Sequence, residues 1–531
     1  MAGGNDEPDH KGDGEKPEKP HTNLVIAEVE EENDSPIEQV RLTVPATDDP
    51  SLPVLTFRTW CLGLIFCVLL AFLNQFFSYR QNALYIYPVT AQIITLPLGS
   101  IFANCGSAGV YAVAIITTVK AFYHRQLHPL AAFMLAQTTQ MLGYGWAGIF
   151  RRILVDSPYM WWPENMVAVS LFRALHEEDV RPKGGLSRLQ FFLVVFVSSF
   201  AYYLVPAYLF PTISSISVLC LIWKNSIFPQ QLGSGVHGMG IGSFALDWSA
   251  VVGFISNPIS SPGFAIVNTL VGFFLVMYVM LPLTYFNNVF DAKKFPIFSP
   301  HTFDQHGKSY NISRVLNHKT FNLDMAGYEG YSKLYLSVFF AFTYGLGFAS
   351  LSATITHVAL HHGKTIWSLW SKAKSGLNRK MDVHTRIMKK NYEQVPEWWF
   401  IVILVVVFGL SLFACEGFGK QLQLPWWGLI MACVMAFFFT LPIGIIQATT
   451  NMQIGLNIIT EMIIGYIYPG RPLANVAFKT YGYISMSQAL VSGNDSCILR
   501  LLWHSLVVAH KCRPHLRPTE PTKGEPMDLP R

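Results

Sequence analysis

The sequence predicts an all-α, polytopic membrane protein of about ten to thirteen transmembrane helices, of the secondary-transporter type. Three observations predict it. Apolar residues make up 51% of the 531 and charged residues only 13%, about half the charge of a soluble domain. Apolar runs long enough to cross a bilayer recur along most of the chain. Inside one of those runs, uncharged polar side chains line up at helical spacing and end in a carboxylate, as a wet face in hydrocarbon would require.

Taken in order, residues 1–51 hold fourteen Asp/Glu against four Lys/Arg, a net of −10, so the remainder carries +15. This acidic, Pro- and Glu-rich segment has the composition of a disordered tail. No apolar signal-peptide core precedes it, which leaves the first span as the insertion signal. The predicted spans are Leu55–Phe77, Ala83–Val119, Leu130–Phe150, Leu189–Phe210, Gly263–Tyr285, Tyr331–Leu360, Trp398–Glu416, Leu424–Thr449 and Gly455–Tyr468. Weaker ones lie at Trp161–Leu175, Pro211–Trp223 and Gly233–Ile255. Together they form a multi-pass domain over residues 52–491, with a separate tail at 492–531. Ala83–Val119 is 37 residues, about 55 Å as one helix against a hydrocarbon core of about 30 Å, so it must hold two spans.

Two hydrophilic loops set a local orientation. Loop 361–397 carries eight Lys/Arg against three acids and is expected in the cytoplasm. Loop 286–330, one span earlier, contains the sequon Asn311-Ile312-Ser313, which makes Asn311 a glycosylation candidate if that loop is extracytoplasmic. Arg151-Arg152 and Trp161-Trp162 have the character of a membrane-edge anchor and an aromatic belt. Six of the eight cysteines lie in or beside spans; neither a disulfide framework nor a zinc site is expected, and a small apolar role is the default.

The stretch Thr440–Tyr468, TLPIGIIQATTNMQIGLNIITEMIIGYIY, is the most informative. Read as one helix, it places Thr449, Gln453, Asn457, Thr460 and Glu461 on one face. Such a stripe either lines a solute path with a proton site or glues neighbouring helices together; both readings stay open. A second candidate is Gln231–Ser256, where Gly233, Gly235, Gly238, Gly240 and Gly242 are too dense for a comfortable helix. Non-helical backbone at membrane depth survives only against protein or water, and broken segments often hold substrate in secondary transporters. His237 and Asp247 lie within it; close helix packing through small residues is the alternative. Glu416 closes a span and either belongs to the path or pairs with Lys420 at i,i+4. His357 and His361 have the spacing of a two-histidine metal clamp, or form an interfacial pair.

Enzyme signatures are sparse. Gly363-Lys364-Thr365 ends like a P-loop, but Val358 stands where its first glycine belongs. No H-E-x-x-H and no nucleophile elbow occur. The chain is therefore expected to be no enzyme and to need no cofactor, with a proton as the coupling ion.

The stretches FANCGSAGVYAV, LGYGWAGIFRRILVDSPYMWWPENMVAVSLFRALHE, GIGSFALDWSAVVGF, LFACEGFGKQLQLPWWG and TTNMQIGLNIITEMIIGYIYPGRPLANVAFKTYGYISMSQAL resemble the oligopeptide transporter family, plant-type peptide branch. The resemblance covers residues 36–490 in family order. It implies a multi-pass, proton-coupled importer of small peptides in the plasma membrane, with glutathione-like peptides or metal chelates as substrates of wider relatives. Two departures stand out. The family's Asn-Pro-Gly motif is absent before Phe102-Ala103-Asn104, where Leu98-Gly99-Ser100 runs on directly. After Leu490 the family's Lys-Ile-Pro-Pro-Arg motif and further spans give way to a proline-rich tail. These departures look like a truncated or alternatively spliced member, expected to insert in membranes without accumulating peptide. The alternative function is that of a non-transporting membrane protein with a regulatory or assembly role.

Overall fold

Leu142, Leu429, Ile443, Leu456 and Ile464 are fully buried, whereas Phe191, Val197, Phe274, Val405 and Phe438 stand more than half exposed on helices of the same chain. Large apolar side chains turned outward in such number are tolerated where the surrounding solvent is hydrocarbon. The computed structural model describes residues 34–44, 57–78, 111–176, 185–236, 238–247, 260–317, 320–373 and 382–497. The join within Ala83–Val119 and the tail beyond residue 497 lie outside the described residues.

The architecture is all-α. The helices are α1 (Glu38–Thr43), α2 (Phe57–Ser78), α3 (Tyr111–Thr117), α4 (Pro129–Leu154), α5 (Pro163–His176) and α6 (Arg188–Leu204). They are followed by α7 (Gly263–Phe286, with a π-helical turn inside), α8 (Val338–Ala373), α9 (Val383–Asn391), α10 (Glu397–Glu416), α11 (Trp426–Thr450), α12 (Asn457–Ile467) and α13 (Pro472–Lys479). α13 runs on through a π-helical turn, Thr480–Ile484, into helix 485–497. Among the described residues, α7, α10, α11 and Val338–Lys364 of α8 are long and apolar enough to cross a membrane. Among the described residues, strands are confined to three two-residue antiparallel pairs.

Two of the weaker spans are corrected. Pro211–Trp223 and Gly233–Ile255 form no spans over their described residues. They make a 3-10 turn, two short helices and the pair Ile216–Ser217 with Ser243–Phe244, because Gly240 and Gly242 sit at φ +73° and +68°, where only glycine is unstrained. Residues 492–497, assigned to the tail, continue the last helix and bury Cys497 completely. Within the acidic N-terminal segment, residues 38–43 form α1.

Residues 34–44 clasp the same end of the molecule as the basic loop. Asp34 Oδ1 accepts a hydrogen bond of 3.0 Å from the main chain of Val383, the first residue of α9, whose own N-cap residue makes no side-chain cap. α1 then lies on α5, with Thr43 Oγ1 3.3 Å from Met166 Sδ and Val40 and Val44 buried. Hydrophobic anchoring thus lets one carboxylate cap a helix start from 349 residues away.

The scaffold is held by close helix contact. Arg152 pairs with Glu397 at 2.5 Å, and further along α4 and α10 approach so closely that a Cβ on Gly148 would lie 2.0 Å from Phe400 Cγ. The pairing runs antiparallel. A Cβ on Gly143 would meet Gln488 Cβ at 2.4 Å and the main-chain nitrogen of Ala489 at 2.9 Å. Small residues that let backbones touch are how helices pack in lipid, where no hydrophobic force separates tail from side chain. At the opposite end, loop 286–336 folds into small hairpins. There the Asp304 carboxyl is held below its ordinary value by main-chain N–H groups of Lys308 and His306, both at 2.9 Å.

Gly143→Ala is expected to destabilise the protein by about 1–3 kcal/mol, since the main chain it meets cannot yield. Gly345→Ala, with nothing within 4 Å, should be neutral or stabilising by about 0.5–1 kcal/mol. Unfolding titrations in mixed micelles compare the two, and equal stability would refute the packing argument. For the clasp, Asp34→Ala should release residues 34–44 by removing a cap worth about 0.5–2 kcal/mol. Asp34→Asn keeps the acceptor and loses only a half-exposed 3.9 Å contact with Arg386, worth about 0–1 kcal/mol. Hydrogen exchange of the Val44 amide, which donates to the Val40 carbonyl at 2.9 Å, reads the difference: fast in the first variant, slow in the second.

Candidate functional site

α11 ends at Thr450, and the chain does not continue as helix. Thr449 and Thr450 turn their hydroxyls back onto the carbonyls of Ile445 and Ile446 at 2.8 and 2.7 Å, and Asn451 caps the helix at φ +61°, a left-handed position that Asn tolerates. Residues 452–456 are extended or irregular, and helix resumes at Asn457 for 11 residues, about 16 Å of rise. The predicted single stripe is therefore broken. Thr449 belongs to α11 and is satisfied there, Gln453 sits in the unwound stretch, and Asn457, Thr460 and Glu461 open α12.

The break lies alongside α11. α12 ends where Tyr468 packs on Trp427, at the start of α11, and Gly470 accepts from Leu323 of the hairpin loop. At the other end of α11, the Ala448 carbonyl accepts from the Trp162 main chain at 2.9 Å. The segment 451–467 consequently runs the length of α11 in the opposite sense, half unwound and half helical.

Its partner is the last helix. Lys479 Nζ lies 2.5 Å from Glu461 Oε1, Ser487 Oγ accepts from Gln453 Nε2 at 3.0 Å, and the Tyr483 ring borders Gly455, 3.7 Å from a Cβ built there. Lys479, Tyr483 and Ser487 are all half-buried, while Thr480, Tyr481, Gly482, Ile484, Ser485 and Met486 are buried. The last helix thus presents one accessible polar edge to the broken one. Its buried side is fixed by Tyr481, whose hydroxyl is 3.1 Å from Thr138 Oγ1 of α4. Asn475 Nδ2 donates to the Glu461 carbonyl at 3.0 Å. Tyr344 of α8 is the further titratable group in electrostatic range of the Glu461–Lys479 pair.

The main chain of the break is open. Among the described residues, the N–H groups of Gln453 through Ile459 and the carbonyls of Met452 through Gly455 have no protein hydrogen-bond partner. Unpaired main-chain groups in hydrocarbon cost several kcal/mol each, so this stretch borders water or solute. The glycine-rich segment behaves oppositely. Gly238, Met239, Gly240 and Ile241 donate to the carbonyls of Ser234, Gln231, Ser234 and Leu232 at 2.9–3.1 Å, so its unwound backbone closes on itself.

The remaining candidates disperse. Asp247 is buried and accepts from Ser214 Oγ at 2.8 Å; His237 lies outside the described residues. Glu416 accepts from the Trp426 main chain at 3.1 Å and pairs with Lys420 at 3.1 Å, tying α10 to α11 away from the break. Thr460 is fully buried and bonds the carbonyls of Leu456 and Asn457. His357 and His361 stack at 4.4 Å on α8. Asn311 is exposed, and its Oδ1 accepts from the Ser313 main chain at 3.1 Å.

Sequence reasoning missed Lys479, Tyr483 and Ser487. Their i, i+4, i+8 spacing inside the apolar run NVAFKTYGYISMSQAL is the signal that could have found them.

The family model for OPT oligopeptide transporter protein matches residues 54–496. The chain belongs to the oligopeptide transporter family. It is 61% identical to oligopeptide transporter 1 of Arabidopsis thaliana over 88% of its own length and 67% of that protein's. It is 58% identical to oligopeptide transporter 5 of the same organism, over 90% and 68%, and 46% identical to oligopeptide transporter 3, over 86% and 66%. The chain thus spans about two thirds of the length of these relatives. No solved structure matches it. Family and apolar helices together make this a membrane protein, as its composition predicts.

Proposed function

We propose that this chain carries small peptides across the plasma membrane in symport with protons, along the broken helix 451–467. The supporting observation is the run of unpaired main-chain groups at 452–459, set between Gln453–Ser487 and Glu461–Lys479. A peptide is itself a row of N–H and C=O groups, so an open backbone is its natural complement. The first half of α12 adds to this: its first-turn N–H groups favour negative charge, and Glu461 supplies a protonatable carboxyl one turn later. Transported this way, substrate draws on the proton gradient and needs neither cofactor nor hydrolysis. Names of the relatives support the peptide class; the proton rests on Glu461.

Glu461→Gln keeps volume and hydrogen bonding but removes titration. In proteoliposomes with an inward proton gradient, this variant is expected to bind and exchange a labelled tetra- or pentapeptide without accumulating it. Unchanged gradient-driven uptake by the variant would overturn the proton assignment. Binding without accumulation by the unaltered chain would instead make it the non-transporting membrane protein of the alternative reading.

Orientation follows from charge. Loop 286–330 precedes α8, and the basic segment 361–397, expected as a loop, instead forms the last turns of α8 and then α9; this basic end belongs in the cytoplasm, together with the clasp at 34–44. Asn311 then faces outside in an exposed turn. Expression in a eukaryotic cell should give a glycosidase-sensitive band that Asn311→Gln abolishes; an insensitive band with the loop 286–330 accessible from the cytoplasm reverses the topology.

A further inference from the structure

The Lys479 side chain is only 14% exposed, and it is the cation of the polar edge that faces the broken helix. A buried ammonium needs an anion beside it, and Glu461 Oε1 supplies one at 2.5 Å. One turn on along the same edge, Tyr483 borders Gly455, inside the run of open N–H groups at 453–459 along which a peptide's amides would lie. Lys479 also immediately precedes the π-helical turn Thr480–Ile484. Such wide turns cluster at functional sites, and this one keeps Lys479 and Tyr483 on a common accessible edge.

We propose that Lys479 is the anchor for the carboxylate of the transported peptide, and that Glu461 occupies that anchor when no peptide is bound. This rests on the peptide-path reading above and deepens it. Glu461 and a peptide's C-terminus present the same chemical group, so one can replace the other on Lys479 without leaving the ammonium bare.

The exchange balances. The peptide enters with its carboxylate ionised and pairs with the Lys479 ammonium. The displaced Glu461 carboxylate, now without a counter-ion at membrane depth, takes one proton from the side to which the site is open and becomes the neutral acid. On release the peptide leaves with its carboxylate, Glu461 gives up that proton to the opposite side, and the original pair re-forms. One proton crosses with each peptide. The groups facing Glu461 do not obstruct this: Lys479 comes from α13, Tyr344 from α8, and α11 carries no charged residue. Arg471 stands away at the turn, with its guanidinium 4.7 Å over the Tyr468 ring.

A merely structural pair would fasten α12 to α13 and discriminate nothing among ligands. The test is equilibrium binding of one tetrapeptide, as free acid and as C-terminal amide, to the full chain in liposomes at mildly acidic and mildly alkaline pH. The anchor predicts that the acid binds about 10- to 100-fold tighter than the amide. Lys479→Gln should bring both to the same weak level, and Lys479→Arg should retain part of the preference. Glu461→Gln should keep the preference for the acid while its binding loses pH dependence, a readout that a structural role would not move. Equal binding of acid and amide by the unaltered chain overturns the anchor and leaves the peptide path standing. Binding of neither overturns both.

Discussion

In hydrocarbon a main-chain N–H or carbonyl has no water to turn to, and the rest of this structure is arranged around that constraint. Helices α7, α8, α10 and α11 satisfy it internally. The glycine-rich turn at 234–242 satisfies it by folding its backbone onto itself. The stretch 452–456 does neither, and it is flanked by the polar side chains that a wet environment would favour. Among the described residues, this open backbone is the feature that supports the solute path proposed above.

Rigidity and looseness are divided accordingly. α4, α10, α11 and helix 485–497 touch through Gly143, Gly148 and Gly444, with Tyr481 fully buried among them; contacts of that closeness are set by volume and do not slide. α12 is different. Thr460 and Ile464 anchor it in the core, but polar pairs tie Glu461 and Gln453 to the last helix, and Ile458 reaches across to Gly347 of α8. Hydrogen bonds and ion pairs are easily exchanged for contacts with a ligand, whereas an interdigitated core is not. The arrangement suits a fixed frame with one responsive strand of chain laid against it.

Much of this was legible in the sequence. Hydropathy and charge gave the class, since hydrocarbon imposes its demand on composition directly. Glu461 and its polar neighbours were recognisable as a set, but not their geometry. A 3.6-residue period counts positions as though the helix were continuous, and nothing in the period registers a left-handed Asn451 or two threonines bonding backwards. Lys479 escaped because it is 18 residues from Glu461 and lies beyond a turn, so pairing could not be read from spacing. Asp34 escaped for a further reason. Tail composition averages over many residues, whereas the clasp depends on two valines and one carboxylate.

The clasp also bears on how the protein is made. Asp34 and Val383 are 349 residues apart, so at about 5–20 residues per second a ribosome needs about 20 to 70 s between them. Throughout that interval the N-terminal segment has no α9 to cap, and most of the spans are already being inserted. Docking of residues 34–44 is therefore a late event in biogenesis, completed only after the basic loop has emerged on the correct face. A chain whose loop was threaded to the wrong side would leave the start of α9 without the Asp34 cap.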